Sequence, residues 1–258
     1  MAADFYSIQE QMGKLRAELE RRDPGVERAL DQVLDVSLIF HDAALEGDCL
    51  DADEILAAIQ GQPAVAGSTE QVSRRIRTLE AGLELMRREA RPHSADEALL
   101  LLKRVHLTVT PDPSRGGRYR RSAVSHRAYF HEVVKPSRIS YLLRRLFSWV
   151  DSEDARRLHP IRVAGEILYR LVTTSPFEDC SGQVARLFAS GHLMAHGYLP
   201  AIVHAQDRQR YYEAFVSSEP DEITELLALS LDNSIRSSFR FLEQRQYAAP
   251  LRSLGGVA

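Results

Sequence analysis

Apolar residues recur at spacings of three and four along most of the chain, which is the period of an amphipathic helix. The pattern predicts helices over Ile8 to Arg22 and Val26 to Phe40, separated by the Asp23-Pro24-Gly25 break. Asp51 to Ile59 begins on an acidic cap and ends near Gly61, and Pro63 to Gly67 reads as a small-residue linker. Ser68 to Ala90 is a long amphipathic stretch, with Val72, Ile76, Leu79, Leu83 and Leu85 or Met86 inward and arginines outward. Ser94 with Glu97 three residues later forms a capping box that opens a helix to Val105.

The period changes once. Pro111 to Gly117 is rich in turn residues, and Ala123 to Val134 holds Val, Tyr, Phe and Val-Val with few helix signals, so two short strands are expected there. The helical period then returns over Ser140 to Val150, His159 to Thr173, Gly182 to His196, Asp207 to Ser217 and Asp221 to Phe241. There is no internal repeat and no low-complexity tract. The reading is a mostly α protein: an N-terminal helical region over 1–92, a helical-bundle core with a small β-hairpin over 93–245, and a flexible tail over 246–258.

Composition narrows the partners. With 258 residues, 44% of them hydrophobic and 27% charged, the chain can bury the core of one large domain, with or without a helical extension. A formal net charge of -3 lacks the basic excess of a nucleic-acid binder, and Arg115 to Arg121 and Arg144-Arg145 read as solvated faces or, for the first, as the entry to the hairpin. Two cysteines, Cys49 and Cys180, make no disulfide framework and suit a reducing compartment. Met1 to Tyr6 has no basic region followed by an apolar run, and no window approaches the ~18 apolar residues of a membrane span. A cytoplasmic location without a membrane partner is the expectation.

Candidate chemistry concentrates in Ser175-Pro-Phe-Glu-Asp-Cys-Ser-Gly-Gln-Val-Ala-Arg186, a small-residue loop feeding a helix read from Val184 to Ala195. Unpaired amides and the positive dipole end of such a helix make an anion site. Asp179 near that opening could hold a divalent cation against phosphate oxygens. The plainer alternative is that Asp179 or Ser181 caps the helix. Cys180 is placed where a thiol can become nucleophilic, yet no Cys/His/Asp constellation is identifiable around it, and a small residue in a tight loop is the simpler account.

This segment resembles the signature of the Fic family, His-Pro-Phe-x-Asp/Glu-Gly-Asn-Gly-Arg-x-x-Arg. Pro176, Phe177, Asp179, Gly182 and Arg186 match it; Ser175 stands at the base His, Cys180-Ser181 at Gly-Asn, and Gln183 at the first Arg. His159-Pro160 with Ala164 and Tyr169 is similar to the helix before the motif, and Asp207-Arg-Gln-Arg-Tyr211-Tyr212 to the segment closing the nucleotide pocket. Gly117-Arg-Tyr-Arg120 and Val124 to Pro136 resemble the flap that holds a target segment by strand pairing. Glu46-Gly47 resembles the inhibitory helix Ser/Thr-x-x-x-Glu-Gly/Asn, with Asp42 at the Ser/Thr position. The plain reading of Gly47 is a helix stop, with Asp48 or Asp51 capping the next helix; both readings can hold together.

The resemblance implies a bundle in which Phe177, Cys180, Ser181, Gly182, Gln183, Arg186 and Tyr211 surround ATP or another nucleotide with Mg2+. It implies Asp179 as the metal ligand and Glu46 as a regulator that pairs with Arg186. A protein or small-molecule hydroxyl substrate would lie along the flap, 123–136, and a homodimer is one arrangement it allows. In resembling enzymes the motif His deprotonates the target hydroxyl, a contribution of about 100- to 10,000-fold. Ser175 has no basic character near neutral pH, and Gln183 offers a neutral hydrogen bond where Arg would offer a charged one. Ordinary AMP transfer is therefore expected to be lost or severely reduced.

Three readings follow. The chain is a diverged transferase, with catalytic positions Ser175 and Asp179 and with His131 or His126 on the flap as replacement base, each of which also reads as a surface histidine. Or it is a catalytically silent module that binds a partner or nucleotide. Or the fold serves unrelated small-molecule chemistry.

Overall fold

Five short polar side chains stand one residue ahead of the first five helices and take up their orphan amides. Asp4 accepts from the Tyr6 and Ser7 amides at 3.1 and 3.2 Å and opens α1, Phe5–Glu20. Asp23 accepts from Gly25 at 2.7 Å and Pro24 takes the first position of α2, Pro24–Glu46. Asp51 and Glu54 cap each other's backbone at the start of α3, Ala52–Ile59. Thr69 and Ser94 open α4, Glu70–Glu89, and α5, Ala95–Val109. At Ser94 the box is displaced by one residue: Glu97 reaches back to the His93 amide, not to that of Ser94.

The computed structural model describes residues 4–62, 69–123, 134–217 and 219–248, with side chains to Arg245. The remaining helices are α6, Ile139–Val150; α7, Glu153–Arg156; α8, Pro160–Thr174; α9, Ser181–Ala195; α10, Arg208–Glu213; and α11, Asp221–Ala248. Short 3-10 turns precede α6 and α10, at Pro136–Arg138 and Ala205–Asp207. Among the described residues there is no strand. The expected β-hairpin falls mainly on 124–133, outside the described residues, as do His126, His131, the Pro63 to Gly67 linker and residues 249–258 of the tail.

Of the boundaries that differ from the sequence reading, two have a clear physical reason. Helix α2 runs past Phe40 because Ala43 and Leu45 are fully buried, and it stops where Gly47 adopts φ 95°, its amide turned back to the Ala43 and Ala44 carbonyls. Helix α9 starts at Ser181, within one residue of the helical period read from Gly182 and three ahead of the start read at Val184 for the loop; residues 181–191 are buried on every side, and a helix enclosed all round shows no stripe from which to read its start.

Helices α8 and α9 form the centre, joined by the loop 175–180 and packed on each other more extensively than any other pair. Helices α4 and α5 cover α9, α6 and α11 cover α8, and α1 and α2 lie against α11. One apolar core runs unbroken from Ile8 to Leu242 and so spans both the N-terminal helices and the central hairpin. Gly165 is required where α8 crosses α11: a Cβ there would lie 2.0 Å from Thr224 Oγ1 and 3.0 Å from its Cα. No helix of the described residues is long and apolar enough to cross a membrane.

Candidate functional site

The motif loop is shaped by backbone contacts before any ligand is considered. Ser175 ends α8 in the left-handed region, φ 43° and ψ 68°, with its amide on the Leu171 carbonyl at 2.9 Å. Arg120, 3% exposed, binds no carboxylate among the described residues; its guanidinium donates to the carbonyls of Ser175 at 2.6 Å, Ser122 at 2.8 Å, Thr174 at 3.2 Å and Val134. A cation at the carbonyl end of α8 complements the helix dipole. The same side chain ties Ser122 and Val134 to the loop, and the Arg120 amide adds a bond to the Pro176 carbonyl at 2.9 Å.

Helix α9 then begins without a side-chain cap. Cys180 occupies the cap position at φ 53° and makes no capping bond. Asp179 and Ser181 do not cap either, which corrects the plainer sequence reading. The Ser181 hydroxyl accepts from the Phe177 amide at 2.9 Å and faces its carbonyl at 3.1 Å, so it staples the loop. Gly182, at the second position of the helix, brings no side chain to the opening. The result is a helix N-terminus with first-turn amides left for an anion.

Asp179 stands at that opening with its side chain 31% exposed. Its Oδ1 lies 3.2 Å from His106 Nε2 and 3.3 Å from the Thr110 hydroxyl. No cluster of three or more His, Cys, Asp or Glu suited to a metal occurs among the described residues. A hard cation at Asp179 would therefore complete its shell with phosphate oxygens and water, as Mg2+ commonly does. Burial, reinforced by the adjacent Asp179 charge, pushes the Cys180 thiol up to about 12, which keeps it protonated and argues against a nucleophilic role.

In the second turn of α9, Arg186 is 7% exposed and held from three sides. Its Nε donates to Asp42 at 2.5 Å, one terminal nitrogen to Glu46 at 2.7 Å, and the other to the Tyr211 hydroxyl at 3.2 Å. Burial works against the guanidinium charge, but Asp42, with Tyr211 and Glu46 behind it, holds Arg186 well above its ordinary pKa. Gln183 is also committed, donating to the second oxygen of Asp42 at 3.1 Å. The end of α2 is clamped from the other side, because Arg208 and Tyr212 both donate to the Leu45 carbonyl, at 2.9 and 2.6 Å.

The structure thus brings Glu46, Gln183, Arg186 and Tyr211 into one contact network. It places Ser175, Phe177, Asp179, Cys180, Ser181 and Gly182 on the adjoining loop and first turn. His131 lies outside the described residues. Sequence reasoning missed His106 and Thr110 and underweighted Asp42. The signal for His106 was present: it sits among Leu102, Val105 and Val109 on the apolar face of α5, a polar residue at a core position.

A separate cavity of about 380 Å3 lies at the far ends of α8 and α9, walled by Leu101, Phe147, Val163, Ile167 and Phe188. Its arginines are already engaged, Arg91 with the Ala195 carbonyl and Arg156 with Asp151. It does not touch the motif loop.

Comparison with known proteins follows the same outline. Residues 94–193 match the family model described as the Fic/DOC family. "Protein adenylyltransferase Fic" of Culex quinquefasciatus is 29% identical over 202 residues, covering 77% of this chain and 40% of that protein. The protein of the same name from Aedes aegypti is 29% identical over 186 residues, 71% of this chain and 37% of its own. The chain thus spans about two fifths of the length of these curated relatives. Among solved structures, Fic-1 (residues 134–508) from C. elegans superposes with a TM-score of 0.76 at 20% identity, over 95% of this chain and 73% of that one. A Fic family protein from Desulfovibrio desulfuricans G20 gives 0.75 at 20% identity, over 98% and 79%. These structures share the fold.

Proposed function

We propose that this chain, whose residues 94–193 match the Fic/DOC family model, is a diverged transferase that moves a phosphate-containing group from a nucleotide-like donor to a hydroxyl. The observation that carries this reading is the uncapped first turn of α9 with the half-exposed Asp179 beside it. The amides would take the donor's phosphate oxygens and Asp179 a Mg2+ ion shared with them. The name of the curated relatives, protein adenylyltransferase, supports a nucleotide donor such as ATP.

Within this reading, standard AMP transfer is lost or severely reduced. In that reaction the target oxygen attacks the α-phosphorus, pyrophosphate leaves, and the hydroxyl proton passes to a base. Position 175 supplies a hydroxyl in place of an imidazole, and Gln183 supplies a neutral amide already turned to Asp42. A protein or small-molecule hydroxyl is the acceptor class.

A second reading, a silent binding module, is favoured by one specific feature. Both side chains of α9 that would meet the donor's outer phosphates, Gln183 and Arg186, are held by Asp42. Titration calorimetry with ATP, UTP, GTP and CDP-choline, each with Mg2+, separates the two readings. It should be run on the native protein and on an Asp42→Ser/Glu46→Gly double variant, because Glu46→Gly alone leaves Arg186 paired. Magnesium-dependent binding that Asp179→Ala abolishes is the expected result; no binding by either protein would overturn the transferase reading in favour of the module.

A further inference from the structure

We propose that His106 is a positioning residue that fixes Asp179 for cation binding and links it to the root of the segment entering 124–133; the inference rests on the donor-site reading above. The His106 ring is 1% exposed and lies parallel to Phe177, with centroids 3.8 Å apart and planes 2° from parallel. A Phe at this position would make that stack equally well. What a Phe could not do is use both ring edges.

Those edges settle the tautomer. Nδ1 lies 2.9 Å from the Gly117 amide, which can only donate, so Nδ1 accepts and the proton of the neutral ring sits on Nε2. Nε2–H therefore donates to Asp179 Oδ1 at 3.2 Å. Thr110 adds a hydroxyl donor to the same oxygen at 3.3 Å. With Oδ1 braced by two donors, cation ligation falls to Oδ2, and the carboxylate's rotation is fixed before the cation arrives.

The chain of bonds runs from the Gly117 amide through the imidazole to Asp179. Gly117 adopts φ 68° and would bring a Cβ to 3.1 Å from the Lys103 carbonyl, so this turn is held close to α5. Three residues on, Arg120 binds the carbonyls of Ser175 and Pro176. The stretch 117–120 is thus bonded to Asp179, by way of His106, at one end and directly to the start of the motif loop at the other. Donor residues that orient a metal-binding carboxylate commonly contribute about 10- to 100-fold in metal affinity.

The test is a Mn2+ titration followed by electron paramagnetic resonance, with ATP present, on the full chain and on His106→Phe, His106→Gln, Thr110→Val and Asp179→Ala. Calorimetry of metal-free ATP and thermal melting run alongside. His106→Phe keeps the stack and should lose about tenfold or more in Mn2+ affinity with metal-free ATP binding unchanged. His106→Gln, whose amide nitrogen falls near the Nε2 position, should recover most of that loss. A folded His106→Phe that binds Mn2+ like the native protein, where Asp179→Ala does not, overturns this inference alone. Absence of Mn2+ binding by the native protein overturns the donor-site reading as well. Should His106→Phe fail to fold, His106→Gln beside Thr110→Val decides: retained affinity in the first with a loss in the second supports the brace, and the reverse overturns it.

Discussion

Asp42 and Arg186 lie 2.5 Å apart in the interior, and the second oxygen of the same carboxylate accepts from Gln183 at 3.1 Å. Residue 42 thus holds both Gln183 and Arg186 of α9. Glu46 pairs with Arg186 from the side-chain periphery and remains in place if Asp42 is removed. Breaking a buried pair leaves a buried charge short of its partner, at about 3 kcal/mol or more. Asp42→Ala is expected to cost about that much in urea denaturation, and Glu46→Gly less. Equal losses would mean that Asp42 carries no special share of the latch.

Ser175 tests the altered chemistry. Ser175→His restores an imidazole but leaves Ser181 and Gln183 in place of Asn and Arg, so it should not restore efficient AMP transfer. Robust self-labelling of that variant by radiolabelled ATP would contradict the argument. The same position carries backbone strain, since a side-chain-bearing residue at φ 43° pays about 1 kcal/mol. Ser175→Gly should raise the melting temperature accordingly.

Much of this was legible in the sequence, and the reasons divide cleanly. The caps at Asp51 and Ser94, the stop at Gly47 and the inward face of α4 were readable because each depends on residues within one or two turns. Pairing of Glu46 with Arg186 was readable from the family pattern. The role of His106 was not, because its partners Gly117, Phe177 and Asp179 are 11, 71 and 73 positions away and no local period brings them together. The sequence reads Arg120 as part of the flap, and its guanidinium does reach the Ser122 and Val134 carbonyls; its bonds to the Thr174 and Ser175 carbonyls at the end of α8 were not readable, because a backbone target carries no side-chain signature.

Cysteine reactivity gives an independent check on the loop. Cys49 is exposed, while Cys180 is largely buried with its thiol pushed up to about 12 by burial and the Asp179 charge. Iodoacetamide at pH 8 should label Cys49 well before Cys180, read by peptide mass spectrometry over time. Faster labelling of Cys180 would reopen the nucleophile that the geometry argues against.

The crossing of α8 and α11 predicts a sharp response to one methyl group. At Gly165 the added carbon would meet Thr224 at its Oγ1, Cβ and Cα, the last being backbone that cannot turn away. Overpacking of this kind costs about 1–3 kcal/mol. Gly165→Ala should lower the urea midpoint, and the paired Thr224→Ser, which removes only the methyl, should leave most of the loss in place.

The pH dependence of stability follows from partly buried neutral histidines. Burial, with His204 stacked at 4.4 Å, lowers His41 to about 4, and burial with His196 alongside lowers His192 to about 3. Both folded values lie below the unfolded value of about 6.5, so between those limits the unfolded chain binds more protons than the folded one. Their contribution is fully present above pH 6.5 and is lost as pH falls toward 4 for His41 and 3 for His192. His41 Nδ1 also accepts the Ala205 amide at 3.2 Å, a bond that protonation of that nitrogen abolishes, so acid loosens α2 from the turn before α10. Melting temperature should fall between pH 6.5 and 4, and His41→Asn should flatten the upper part of that decline while His192→Asn flattens it further toward pH 3. A decline unchanged in both variants would assign the acid sensitivity to other groups.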